Sequence, residues 1–285
     1  MRRITSKKYR AAGVDLDAAA HAKRLMAPHV RSTFTSDVLG DVGFFGALYN
    51  LRNFHDPVLV AGTDNVGTKL KLAALAGSWE SVGQDVVNQN VNDIITCGAR
   101  PLFFIDYIAM NRVIPERAAA LVKGIALACR GSGCSLIGGE TAELPGVYAD
   151  VEGFDLAGFV VGAVERGNIL DGNAIREGDA LIALPSSGLH TNGYSLVRYL
   201  FDLENQPEVI NQQYASLGTS LGEALLLPHR SYWPLLEPTI PIINGMAHIT
   251  GGGLPENLPR VLPEGLAARV NLASWKIPPL FRLIQ

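Results

Sequence analysis

The chain has 285 residues, 48% of them hydrophobic and 18% charged, and 24 Lys and Arg against 27 Asp and Glu give a formal net charge of −3. This is a globular composition with length for two domains and separate cores and gives no sign of disorder; with the slight acidity, nothing supports the clustered basic surface that nucleic acid requires. No run of 18 apolar residues is present to span a membrane, and no apolar segment follows the basic start MRRITSKKYR to make a secretion signal. Cys97, Cys129 and Cys134 are odd in number and lack C-x-x-C spacing, so reduced thiols in the cytoplasm are expected.

In chain order, the apolar run 58–61 predicts a strand ending at Gly62, after which GTDNVGTK leads into a helix over 68–76. This loop is not the phosphate cradle G-x-x-x-x-G-K-[ST]: Thr68, not lysine, follows Gly67, Lys69 comes one place late, and Asp64 puts an acid inside. Helical periodicity over 81–98, a buried strand rich in Phe and Ile over 101–110, and an alanine-rich helix over 115–130 closed by Gly131 and Gly133 come next. A strand over 134–137 runs into Gly138 and Gly139, and a long apolar strand covers 154–164. The polar stretch ERGNILDGNAIREGD sets a boundary near 165–175, dividing the chain into domains 1–168 and 169–285. The second half is read as a strand over 180–184, a glycine-rich loop over 186–193, a helix from Tyr194, a strand over 247–250 and a helix starting after Gly251, Gly252 and Gly253. Alternating strands and helices place both domains in the α/β or α+β class.

Within the helix over 81–98, a rotation of about 100° per residue puts Asp85, Asn88, Gln89 and Asn92 on one side with Asp93 at its margin, and Val87, Val91, Ile94 and Ile95 opposite. A face of carboxylates and amides without lysine suits a hard cation such as Mg²⁺ or a polar ligand; an ordinary polar face or an interdomain network is the other reading. Asp64 and Glu140 are placed in glycine-bearing turns after strands, where α/β sheets bind ligands, so with the acids of the helix they could converge on metal-bound phosphates; a turn residue and a helix cap are the plain alternatives. Lys69 offers a point charge to phosphate or lies on its helix surface, and the glycines around these residues either admit an anion to the backbone or only make turns. In SSGLHTNGYS (186–195), His190 stands between small polar residues and is a candidate acid, base or hydrogen-bond donor. His248, beside Ile249, is a ligand group or a core histidine, and no Ser/His/Asp order is readable.

Taken together, GTDNVGTKLKLA, VNQNVNDIITCGARPLFFIDYIA, GCSLIGGETAELPG, SSGLHTNGYSLVR and HITGGGLPENLPRVLP resemble, in order and spacing, the phosphoribosylformylglycinamidine cyclo-ligases; AAGVDLDA and VLGDVGFFGAL match as well. The resemblance implies a homodimer whose N-terminal strands join a barrel-like sheet across the interface, followed by a C-terminal α/β domain. It implies the ATP-dependent closure of an imidazole ring on a ribonucleotide in purine synthesis, with ATP and Mg²⁺ required. By the same resemblance Asp64, Asp93 and Glu140 are metal ligands; Gly62, Gly67, Thr68, Lys69, Asn92, Gly138 and Gly139 join them around the nucleotide; His190 and Lys69 are catalytic; and Ser187, His190, Asn192, Gly251, Gly252 and Gly253 hold the substrate. Asn65 departs from the glycine or serine usual at its position, a change that left-handed backbone tolerates. Relatives continue past the position of Gln285 with a stretch resembling MxRTFNMGxG, so an incomplete C-terminal sheet with an exposed apolar face is expected. The competing readings are a non-catalytic nucleotide-binding or dimerisation module and another ATP-using enzyme of the superfamily, such as thiamine-monophosphate kinase.

Overall fold

The computed structural model describes residues 2–148 and 153–285. Helices α1 (Arg2–Ala11) and α2 (Leu16–Arg31) and a short ribbon, β1 (Val38–Leu39) with β2 (Leu48–Tyr49), precede the central unit. That unit runs β3 (Pro57–Asn65), α3 (Lys69–Ala76), α4 (Trp79–Ile95), β4 (Arg100–Met110), α5 (Pro115–Gly131), β5 (Ser135–Glu143) and β6 (Phe154–Glu165). Its sheet has the order β3-β6-β4-β5, with only β4 and β5 parallel, joined by the α5 crossover that a parallel pair needs. The sheet is open and mixed, with β3 and β5 as its edges, not a closed barrel.

Register decides which residues share a face. Asp64, Gly158, Asp106 and Gly139 form one row across the four strands, and Asn65, Ala157, Tyr107 and Glu140 form the next. Because side chains alternate along a strand, the first row points to the helix side and the second to the other. Gly62, in the same alternation as Asp64, confirms the helix side: a Cβ there would lie 3.3 Å from Ile94 on α4. On the opposite side Leu59 is 61% exposed and Phe159 48%, so that face is uncovered in a single chain.

Two glycines set the approach of α4 to α5. A Cβ on Gly83 would overlap the Leu121 carbonyl, and one on Gly124 would overlap the Glu80 carbonyl, so backbone packs directly on backbone. Gly83→Ala is expected to cost at least about 1–3 kcal/mol through overpacking, read as a lower urea midpoint with the slope unchanged.

Asp106 is buried on the helix side of β4, and burial, reinforced by the charge of Glu140, pushes its carboxyl up to about 7. The unfolded carboxyl ionises near its ordinary value, so stability that depends on neutral Asp106 is present in acid and lost as pH rises through about 7. Asp106→Asn is therefore expected to raise stability more at pH 8 than at pH 5, by on the order of 2–3 kcal/mol in unfolding free energy, read from urea midpoints at the two pH values. Equal gains at both pH values would contradict the assignment.

The second half differs from its sequence reading. Helices α6 (Tyr194–Leu200), α7 (Leu221–Leu225), α8 (Trp233–Leu236), α9 (Gly253–Asn257) and α10 (Pro279–Ile284) form, but among the described residues its sheet is only the two-residue ribbon of β7 (Gln213–Tyr214) with β8 (Thr219–Ser220). Residues 180–184 and 247–250, expected as strands, have no ladder partner, and Ile182 is 81% exposed. A strand without neighbours has no stable form in water. Its helices share the first half's core all the same: Tyr194, Val197, Leu221, Leu225, Trp233 and Leu280 belong to one buried cluster with α4, α5 and the main sheet, not to a separate core. No helix of the described residues is long and apolar enough to cross a membrane, and the three cysteines are free.

Candidate functional site

The polar face of α4 is buried: Asp85, Asn88, Gln89 and Asn92 are at most 6% exposed. It grips a stretch of chain from Leu227 to Tyr232. Asp85 Oδ1 accepts from the His229 N–H at 2.6 Å, Asn88 Nδ2 donates to the His229 carbonyl at 2.6 Å, and the Asn92 amide donates to the Arg230 carbonyl at 2.8 Å while accepting from the Tyr232 N–H at 3.1 Å. Lys69, expected toward phosphate or on a helix surface, is instead fully buried, 2.7 Å from Asp85 Oδ2 and donating to the Leu227 carbonyl at 2.9 Å. Burial draws the Lys69 ammonium down and pushes the Asp85 carboxyl up, each opposed by the other's charge. The interdomain network is the reading of this face that the geometry supports.

Beside the grip lies a cluster of imidazoles and acids. His190 stacks on His229 with centroids 3.9 Å apart, and His229 meets His248 at 5.3 Å. His190 has φ +58, a left-handed conformation, and its Nε2 accepts from the Ser187 N–H at 3.1 Å. Since a backbone N–H can only donate, the neutral ring carries its proton on Nδ1. Burial, with the charges of His248, Lys69 and Arg230, lowers His190 to about 4; His229 is held well below the ordinary histidine value, chiefly by burial. His248 Nδ1 lies 2.8 Å from Asp93 Oδ1. Asp64 is close enough for Asp93 to affect it: partial desolvation raises its carboxyl and the Asp93 charge adds to this, against the Asn65 N–H and His248. The rest of the second-half loops close in, with Ser187 Oγ donating to the Pro228 carbonyl at 2.7 Å and Thr68 Oγ1 3.1 Å from Ser195 Oγ. A Cβ on Gly251 would stand 3.5 Å from Asn192 Oδ1, and Asn257 Nδ2 caps the turn by donating to the Gly253 carbonyl at 2.8 Å.

Family models for the N-terminal and C-terminal domains of AIR synthase related protein match residues 46–164 and 176–285. The chain is 52% identical over 281 residues to a phosphoribosylformylglycinamidine cyclo-ligase of Desulfitobacterium hafniense, covering 97% of this chain and 81% of that one. The chain belongs to the phosphoribosylformylglycinamidine cyclo-ligase family. The same enzyme of Geobacillus kaustophilus is 51% identical over 284 residues, covering 98% of this chain and 82% of its own. A solved thiamine-monophosphate kinase from Stenotrophomonas maltophilia K279a shares the fold at TM-score 0.57 and 21% identity, over 83% of this chain and 70% of that one.

Of the residues that the family resemblance assigns to the site, the structure brings together Asp64, Asp93, Ser187 and His190, with Thr68, Asn192 and Gly251 on neighbouring loops. Gly138, Gly139 and Glu140 are not in a turn but inside β5, and Asp64 is inside β3, not after it. Glycine occupies that strand position because a Cβ on Gly139 would overlap the Asp106 carboxylate. Three strand spacings of about 4.8 Å separate Asp64 from Gly139, roughly 14 Å, and Glu140 points to the opposite side of the sheet. Within one chain Glu140 therefore does not converge with Asp64 and Asp93. Sequence reasoning missed His229 altogether; it lies in LLPHRSY, between Pro228 and Arg230, with no glycine loop to draw attention to it.

Proposed function

We propose that this chain converts 2-formamido-N1-(5-phospho-D-ribosyl)acetamidine and ATP to 5-amino-1-(5-phospho-D-ribosyl)imidazole, ADP and phosphate, as a cytoplasmic, magnesium-dependent homodimer of de novo purine synthesis. The identity of 52% across 97% of the chain to a cyclo-ligase carries this reading. Transfer of the terminal phosphoryl group to the formyl oxygen makes phosphate the leaving group, and the amidine nitrogen then closes the ring. Such chemistry depends on positioning and charge neutralisation more than on covalent help from the protein.

Asp64 and Asp93 fit a hard cation: both offer carboxylate oxygens, and the Asp64 carboxyl, raised first by burial and further by the charge of Asp93, supports a place where a positive charge would be favourable. Mg²⁺ held there would neutralise phosphate charge. His190, neutral at pH 7 with Nε2 occupied by Ser187, presents Nδ1–H as a donor to substrate. Asn192 and the backbone of Gly251, Gly252 and Gly253 are assigned to the substrate phosphate, and Gly62, Gly67 and Thr68 to the nucleotide side. The uncovered sheet face bearing Leu59 and Phe159 supports the dimer, and Glu140 on that face would reach a nucleotide only at the interface.

The test is phosphate release from Mg²⁺–ATP with and without the formylglycinamidine ribonucleotide, alongside colorimetric detection of aminoimidazole. Substrate-dependent phosphate matched by aminoimidazole is expected. ADP and thiamine diphosphate formed from added thiamine monophosphate, without free phosphate, would replace the reading with a kinase, and nucleotide binding without turnover would leave a non-catalytic module.

A further inference from the structure

We propose that His190, His229 and His248 form a binding site for a transition-metal dication of the zinc class, distinct in chemistry from the oxygen donors Asp64 and Asp93. One ring nitrogen from each histidine lies within 4.8 Å of the other two. His229 Nε2 and His248 Nε2 are buried and have no hydrogen-bond partner. A buried polar atom left so is costly and calls for a ligand. The Asp93 carboxylate can only accept, so His248 carries its proton on Nδ1 and its Nε2 lone pair is free. This is the carboxylate–histidine arrangement that orients metal-bound imidazoles and raises their basicity. His229 Nδ1 lies 3.5 Å from Thr191 Oγ1, and an N–H donated to that hydroxyl leaves a second free lone pair at Nε2. His190 Nε2 already points its lone pair at the Ser187 and Arg230 N–H groups, at 3.1 and 3.5 Å, and would exchange these for the ion.

Imidazole nitrogen selects zinc, copper, nickel or cobalt and does not suit magnesium, which keeps the two ion sites separate. Tetrahedral zinc at about 2.0–2.1 Å from each nitrogen holds them roughly 3.3 Å apart, so the rings close by about 1.5 Å at most through side-chain rotation. The three rings come from three different segments that lie outside helices and strands. An ion here would fasten them to one another and, through Asp93, to α4.

The experiment uses the untagged full chain, stripped with chelator and then dialysed against micromolar Zn²⁺ in millimolar Mg²⁺, with metal counted after desalting. One zinc per chain is expected, together with a higher Tm and, on Co²⁺ substitution, the intense visible absorption of a tetrahedral nitrogen site. His229→Asn and His248→Gln should each lose at least about 100-fold in affinity, and Asp93→Asn about 10–100-fold. Substoichiometric zinc on the folded wild-type chain, or a weak octahedral Co²⁺ spectrum, would overturn the proposal without recourse to any variant. So would full zinc retention by both histidine variants.

Discussion

Lys69→Met is expected to destabilise the protein by about 3–5 kcal/mol, because it strands the Asp85 carboxylate in a site with no solvent to take its charge. The damage extends beyond the pair. Asp85 Oδ1 holds the His229 N–H and Lys69 Nζ holds the Leu227 carbonyl, so both ends of the gripped stretch loosen together. The double variant Lys69→Met with Asp85→Leu removes both charges and is expected to recover much of the loss, as neutral replacement of buried pairs does. Urea midpoints of the three proteins check this. A Lys69→Met chain with wild-type stability and abolished turnover would instead return Lys69 to the phosphate role expected from the sequence.

The second large effect is on turnover. Asp64→Asn combined with Asp93→Asn is expected to lower kcat/KM for phosphate release on the order of 1000-fold, matching the several kcal/mol that a positioned cation contributes to phosphoryl transfer. Stability should hold, since both side chains are partly exposed and Asp64 carries an electrostatic cost that the substitution relieves. Glu140→Gln separates the two arrangements of acids. If Glu140 acts across a dimer interface, mixing Glu140→Gln with the double variant restores part of the activity in hybrid dimers; no restoration would place all three acids outside a shared site.

The central unit was legible because its signals are local. The helical period over 81–98 and the apolar runs over 101–110 and 154–164 are long, and the elements form close by, at Trp79–Ile95, Arg100–Met110 and Phe154–Glu165. The end of β5 was misread for a physical reason. Gly138 and Gly139 look like turn residues, yet one of them is there to admit the Asp106 carboxylate from the next strand, a contact no local pattern reveals. Residues 180–184 and 247–250 have strand composition, but a strand is a property of its partners as well as of its own residues. The candidate site was half legible: Asp64, Asp93, Ser187 and His190 stand out, whereas the burial of Lys69 and the presence of His229 depend on a loop more than 130 residues from α4.

The bonds that hold residues 227 to 232 have a common property: every one of those from Lys69, Asp85, Asn88 and Asn92 is made to a main-chain N–H or carbonyl. The path of this segment is thus fixed without reference to what its side chains are. Substitution at His229, Arg230 or Tyr232 leaves the anchor intact, so the chemistry displayed beside Asp93 is free to diverge among relatives while the chain carrying it stays in place.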